Sequence, residues 1–151
     1  MPQLGPGERA PRFSLSDQDG ASVSSDDFAG KPAVVYFYPK DDTPGCTTEA
    51  CQFNDYLEQF QQAGVRVLGV SPDAPESHVE FRNKYGLLFT LLSDPTHKTM
   101  ADYGAWGDRP GKGEGVIRST VLIGPDGTIT RAWYGVKADG HASEVLEALR
   151  A

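Results

Sequence analysis

Ala33-Val34-Val35-Tyr36-Phe37-Tyr38-Pro39-Lys40-Asp41-Asp42-Thr43-Pro44-Gly45-Cys46 holds a strand, a turn and a helix start in one unbroken stretch. Residues 33–38 are apolar without alternation and rich in β-formers, the pattern of a strand buried on both faces. Pro39 ends it, because proline has no N–H to give to a sheet. Thr43 then stands at a helix N-cap and Pro44 at the first helical position, where the missing N–H costs nothing.

Reading outward, the helix started at Pro44 is predicted over 44–62. Its apolar stripe is Ala50, Phe53, Leu57 and Phe60, and Gly64 closes it. Residues 65–70 read as a second buried strand, ended by Ser71-Pro72. A helix follows over 75–85 with Val79 and Phe81 among its apolar positions, then a short strand within 87–92 and a short helix over 96–103. Upstream, Phe13-Ser14-Leu15 alternates, Asp17-Gln18-Asp19-Gly20 forms a turn, and a hairpin returns through Val23. Downstream, residues 119–123, the turn Gly124-Pro125-Asp126-Gly127 and residues 128–134 form an antiparallel hairpin. A last helix covers 142–149, with Val145, Leu146 and Leu149 apolar. Strands alternating with helices, then a hairpin and a closing helix, predict an α/β fold. The expected architecture is a thioredoxin-like three-layer sandwich: a central mixed β-sheet flanked by helices, with an N-terminal β-hairpin extension.

The chain has 151 residues, a usual size for one domain around one core, and no composition shift marks a boundary. Residues 1–151 are therefore read as a single domain. Asp and Glu number 21 against 14 Lys and Arg, giving a formal net charge of −7. Such a surface repels phosphate, so nucleic acid is not an expected partner. The 17 glycines and 11 prolines signal many turns and not disorder, because apolar runs recur along the whole chain. The longest such run, 33–38, is far short of the ~18 residues of a spanning helix, so no membrane span is expected. Residues 1–7 lack the basic and apolar regions of a secretory signal, which points to the cytoplasm. The Gly-rich stretch 107–115 reads as a flexible surface loop. Gly107-x-x-x-Gly111-Lys112 is one residue short of a phosphate-binding Walker loop and lacks the following Ser or Thr.

The chain has two cysteines. Too few for a disulfide scaffold, they leave redox chemistry, metal binding or inert thiols. Cys46 lies in the first turn of a helix that follows a buried strand. Helix N-terminal N–H groups lack internal partners and carry partial positive charge, which favours the thiolate, the nucleophilic form of cysteine. The plain alternative is a small buried hydrophobe, since Cys46 also extends the Ala50–Phe53 stripe by one step. A structural zinc takes four ligands, and His78, His97 and His141 form no ligand pair by spacing. A thiol–disulfide oxidoreductase normally carries Cys-x-x-Cys, whereas the spacing here is Cys-x-x-x-x-Cys. A non-enzymatic binding module would need neither Thr43 nor Arg118.

Pro39-x-x-x-Thr43-x-x-Cys46 matches the Pro-x-x-x-Thr-x-x-Cys motif of the peroxiredoxins. The longer run from Tyr36 to Cys51 resembles the Q type, also called bacterioferritin comigratory protein. Gly69-Val70-Ser71-Pro72-Asp73, Arg118-Ser119-Thr120 before an apolar strand, and Val136-Lys137-x-x-Gly140-His141 extend the resemblance over about residues 5–150. The chain departs from the family pattern in the glycine content of 107–115, in the missing aromatic there, and in Val121 where an aromatic is common.

The resemblance implies a thiol peroxidase that reduces hydrogen peroxide and organic hydroperoxides without metal, haem or flavin. Cys46 would be the peroxidatic nucleophile, oxidised to a sulfenic acid. Thr43 would bond the thiolate and the peroxide while also capping the helix. Arg118 would supply a planar fork of donors. Pro39 would shield the thiolate, and the Gly45 and Cys46 N–H groups would donate to the reacting oxygens. Glu49 is either the ion-pair partner that orients Arg118 or an exposed acid favoured by the helix dipole. Cys51, in line with Asp55, Glu58 and Gln62 and off the apolar stripe, would be the resolving thiol on an accessible face. Thioredoxin or a similar dithiol would be the reductant, and the enzyme would be a monomer.

Helix geometry adds one expectation. Five residues of regular α-helix rise about 7.5 Å, and at a Cα radius of about 2.3 Å this puts Cα46 and Cα51 roughly 8.6 Å apart. A disulfide wants about 4.4–6.8 Å. A helix running through both thiols must therefore unwind before they bond.

Overall fold

The computed structural model describes residues 3–150; residues 1, 2 and 151 of the expected domain lie outside the described residues. Its elements are β1 (Ser14–Asp17), β2 (Ser22–Ser24), β3 (Ala33–Phe37), α1 (Pro44–Asp55), α2 (Leu57–Gln62), β4 (Arg66–Ser71) and α3 (Pro75–Tyr85), followed by β5 (Thr90–Ser93), α4 (Lys98–Asp102), β6 (Trp106–Arg109), β7 (Gly113–Val116), β8 (Ser119–Ile123), β9 (Ile129–Tyr134) and α5 (His141–Arg150). Seven strands form one mixed sheet in the order β2-β1-β5-β4-β3-β8-β9. β3, β4 and β5 run parallel, and the other neighbours are antiparallel. This is the thioredoxin-like mixed sheet that the element order predicts, and β1–β2 is the N-terminal hairpin, with Leu15 opposite Val23.

β3 lies inside the sheet, between β4 and β8, and is buried throughout. Its side chains alternate between two cores. Val34 and Tyr36 join Tyr38, Cys46, Ala50, Phe53 and Phe60 on one face, while Val35 and Phe37 pack with Met100 and Tyr103 on the other. Tyr36 stacks on Phe53 with ring centroids 4.6 Å apart. It fits because its parallel partner is Gly69, where a Cβ would come within 2.9 Å of the Tyr36 ring.

Three local expectations are corrected. The helix predicted over 44–62 is two helices, broken at Tyr56 (φ −98°, ψ 5°). Leu57 and Phe60 stay buried with Ala50 and Phe53, so the apolar stripe crosses the break and periodicity could not show it. The stretch 107–115 is not a loop but most of the two-stranded β6–β7 ribbon. Gly111 and Gly113 take positive φ at its turn, and the bare Cα of Gly115 leaves room for the Arg109 side chain lying across it. On α3 the buried residues are His78 and Phe81, while Val79 is an exposed hydrophobic.

Candidate active site

α1 starts directly after the loop that leaves β3, which puts Cys46 in its first turn. Cys46 is 1% exposed, and its Sγ faces Arg118, whose Nη2 lies 3.4 Å away. The thiol is thus both a core residue and the partner of a cation, which a purely structural cysteine would not need.

Arg118 sits between β7 and β8. Its other amino group, Nη1, donates to Oε1 of Glu49 at 2.6 Å. Glu49 lies on α1 one turn after Cys46 and is fully buried, so the ion pair, and not the exposed first-turn acid, describes it. Its Oε2 has no hydrogen-bond partner. Burial pushes the Glu49 carboxyl up to about 7, against the opposing pull of Arg118. Burial also works against the charge on Arg118, but Glu49 and Cys46 outweigh it and hold the guanidinium above its ordinary value. A Cβ on Gly45 would come within 3.1 Å of Arg118 Nη2, so the glycine makes space for the fork beside the thiol.

Thr43 occupies the N-cap position, but its side chain caps nothing. Its hydroxyl instead donates to the Lys40 carbonyl at 2.8 Å, which corrects the expectation that it also caps the helix. A hydroxyl has one proton, so toward any ligand on the other side Thr43 can only accept. With no side-chain cap, the Gly45 and Cys46 N–H groups at the start of α1 are left for a ligand. Pro39 is half-buried and, with Ile117, Arg118 and Val136, lines a groove that extends to Arg109 and Lys112 on the β6–β7 ribbon.

Cys51 is half-buried on the same unbroken helix as Cys46, and both thiols are free. Burial, with a smaller push from Asp55, raises the Cys51 thiol above its ordinary value. Beyond Cys51, side-chain amides hold α1 to its neighbours. Gln52 donates to Asp139 Oδ1 at 2.7 Å and accepts from the Gly140 N–H at 2.8 Å. Asn54 bonds the Gly86 carbonyl and the Leu88 N–H.

The sequence reading singled out neither Asp41 nor a role for His78, which meet beneath the loop that carries Pro39 and Thr43. A signal existed: His78, Phe81 and Tyr85 share one face of α3 at helical spacing, which places the histidine toward the core.

The chain resembles known proteins over nearly its whole length. Residues 6–132 match the model of the AhpC/TSA family. Peroxiredoxin Bcp of Escherichia coli is 43% identical over 153 residues, covering 99% of this chain and 98% of that protein. Peroxiredoxin Bcp of Bacillus subtilis is 42% identical, with 95% and 94% covered. A cysteine-to-serine mutant of peroxiredoxin Q from Xylella fastidiosa superposes with a TM-score of 0.93 at 36% identity, over 99% of this chain and 97% of that one.

Proposed function

The chain belongs to the AhpC/TSA family as a peroxiredoxin of the Q type, and we propose that it is a two-cysteine peroxidase in which Cys46 reduces peroxide, Cys51 resolves the product and a thioredoxin-like dithiol restores both. The observation that carries the reading is the Cys46 thiol facing one arm of an arginine whose other arm is fixed by Glu49, at an uncapped helix start.

The chemistry runs as follows. The Cys46 thiolate attacks one peroxide oxygen, a sulfur–oxygen bond forms, and the O–O bond breaks. The second oxygen leaves with the electron pair and is protonated to water or an alcohol. Thr43 accepts the hydrogen bond of the peroxide O–H, which orients the reacting oxygen. Arg118 Nη2 and the Gly45 and Cys46 N–H groups face the developing negative charge. The groove beyond Pro39 and Ile117 leaves room for an organic substituent, so hydrogen peroxide and organic hydroperoxides are both substrates in this reading.

Cys51 then attacks the Cys46 sulfenic acid and releases water, forming an intramolecular disulfide. α1 is continuous from Pro44 to Asp55, so this step requires it to unwind between the thiols. Unwinding also moves Cys51 into water, removing the burial that holds its thiol protonated. A dithiol reductant closes the cycle by thiol–disulfide exchange. In the same reading the enzyme is a monomer, as the family resemblance implies, and works in the cytoplasm.

The test is peroxide consumption with thioredoxin as the only reductant. Wild type should turn over continuously, Cys46→Ser not at all, and Cys51→Ser should react once and stall. Sustained turnover by Cys51→Ser would remove its resolving role, and turnover by Cys46→Ser would remove the reading.

A further inference from the structure

The loop from Pro39 to Thr43 carries the hydroxyl that meets the peroxide and the proline that lines the groove, yet it has no regular backbone pairing of its own. What holds it is a buried polar cluster. The Asp41 carboxylate accepts from Tyr38 Oη at 2.6 Å, from Ser77 Oγ at 2.8 Å and from His78 Nδ1 at 2.6 Å. The His78 side chain is fully buried and that of Asp41 is 3% exposed. The other His78 nitrogen, Nε2, faces the Leu92 carbonyl at 3.0 Å. Both ring nitrogens are therefore engaged, and the ring ties Asp41 on the loop to the backbone of β5.

The backbone is held as well. The Asp41 N–H donates to Asp73 Oδ2 at 2.7 Å, and Ser71 Oγ donates to the same oxygen. Asp42 sits at a left-handed φ of 58°, and its carboxylate takes Lys84 and Tyr85 from the end of α3. Thr43 is fixed in turn: its hydroxyl bonds the Lys40 carbonyl, and its own carbonyl accepts from the Thr47 N–H at 2.8 Å. Burying this many polar side chains is costly unless each finds a partner, and here the partners converge on the loop. What those bonds hold in place is the loop that carries Thr43.

We propose that Asp41 and His78 are positioning residues for peroxide: they hold the Pro39–Thr43 loop so that the Thr43 oxygen accepts the peroxide O–H while Cys46 attacks. The proposal rests on the peroxidase reading. The cluster acts on the loop and not on the thiol, so it should matter for a substrate that Thr43 must orient and be indifferent for one that only needs Cys46.

The experiment compares two reactions of Cys46, with hydrogen peroxide and with iodoacetamide, in wild type, Asp41→Ala and Asp41→Asn. Asp41→Ala should lose at least tenfold in the peroxide rate and keep its alkylation rate within about threefold. Asp41→Asn should recover most of the peroxide rate, because an amide can donate to a neutral His78 Nδ1 and to Ser77 Oγ while still accepting from Tyr38. If Asp41→Ala does not fold, Tyr38→Phe removes one bond to the same carboxylate and should lower the peroxide rate about threefold with alkylation unchanged. A wild-type peroxide rate in Asp41→Ala or, where that variant does not fold, in Tyr38→Phe would overturn the proposal. So would an equal loss in both reactions, or an Asp41→Asn no better than Asp41→Ala. Those outcomes leave the peroxidase reading standing, whereas wild type inert to peroxide overturns both.

Discussion

The guanidinium of Arg118 bridges Glu49 and Cys46, donating from Nη1 to Glu49 Oε1 at 2.6 Å and from Nη2 toward Cys46 Sγ at 3.4 Å. The bridge needs two donors in a fixed plane. A lysine carries the charge but has a single nitrogen, so it cannot serve both partners in that geometry. Arg118→Lys should lose at least tenfold in peroxide rate, about 1.4 kcal/mol of transition-state stabilisation. A stopped-flow rate equal to wild type would show that charge alone suffices.

Gly45→Ala tests the same bridge without touching either partner. The added methyl would meet Arg118 Nη2 at 3.1 Å, so the fork must shift by a few tenths of an ångström. Alanine is the better helix former by up to about 1 kcal/mol. The expected outcome is a thermal midpoint equal to or above wild type together with a severalfold slower reaction with peroxide. A variant less stable but equally fast would contradict the assigned role of the glycine.

Glu49 makes the closed helix sensitive to pH. Its carboxyl stands at about 7 when buried, against the ordinary 4.5 it regains when α1 unwinds. A raised acid binds its proton more tightly in the closed state, so closure is favoured fully below about pH 4.5 and the benefit is lost as pH rises through about 7. The effect amounts to at most about 3 kcal/mol. Between about pH 5 and about pH 8, wild type should lose thermal stability relative to Glu49→Gln, whose amide does not titrate. Parallel stability curves for the two proteins would show that Glu49 does not carry the linkage.

Gln52 restrains the motion that resolution requires. It follows Cys51 directly and makes two bonds, to Asp139 and Gly140, that the moving segment must strain or break. At roughly 1 kcal/mol for an accessible hydrogen-bonded pair, Gln52→Ala should form the Cys46–Cys51 disulfide about fivefold faster after peroxide addition. It should leave the first reaction with peroxide unchanged. An unchanged resolution rate would place the barrier elsewhere in α1.

The sequence announces the loop of the candidate site and hides what supports it. Proline, threonine and cysteine at fixed spacing before a helix are legible because each has a chemical reason for its place, and Arg118 stands out as a charge at the head of an apolar strand. The break at Tyr56 leaves no trace, since neither glycine nor proline marks it and the apolar stripe continues through it. The β6–β7 ribbon reads as a loop because its glycines serve backbone turning and Arg109 packing, which carry no apolar alternation. The burial of His78 is legible only in its helical spacing to Phe81 and Tyr85, because Val79 next to it is the more apolar residue; its contacts with Asp41 and Leu92 are tertiary and leave no local trace. Local pattern finds the residues assigned to the chemistry in this reading; the residues that hold them are set by packing between distant elements.

The most direct test of the account is mass analysis of the reduced protein after one equivalent of hydrogen peroxide, with the cysteines mapped in peptides. Wild type should lose the mass of two hydrogens, with Cys46 and Cys51 joined within one chain. Cys51→Ser should instead gain one oxygen, located on Cys46. Oxygen retained on Cys46 in wild type with no disulfide formed, or a disulfide found only between two chains, would contradict it.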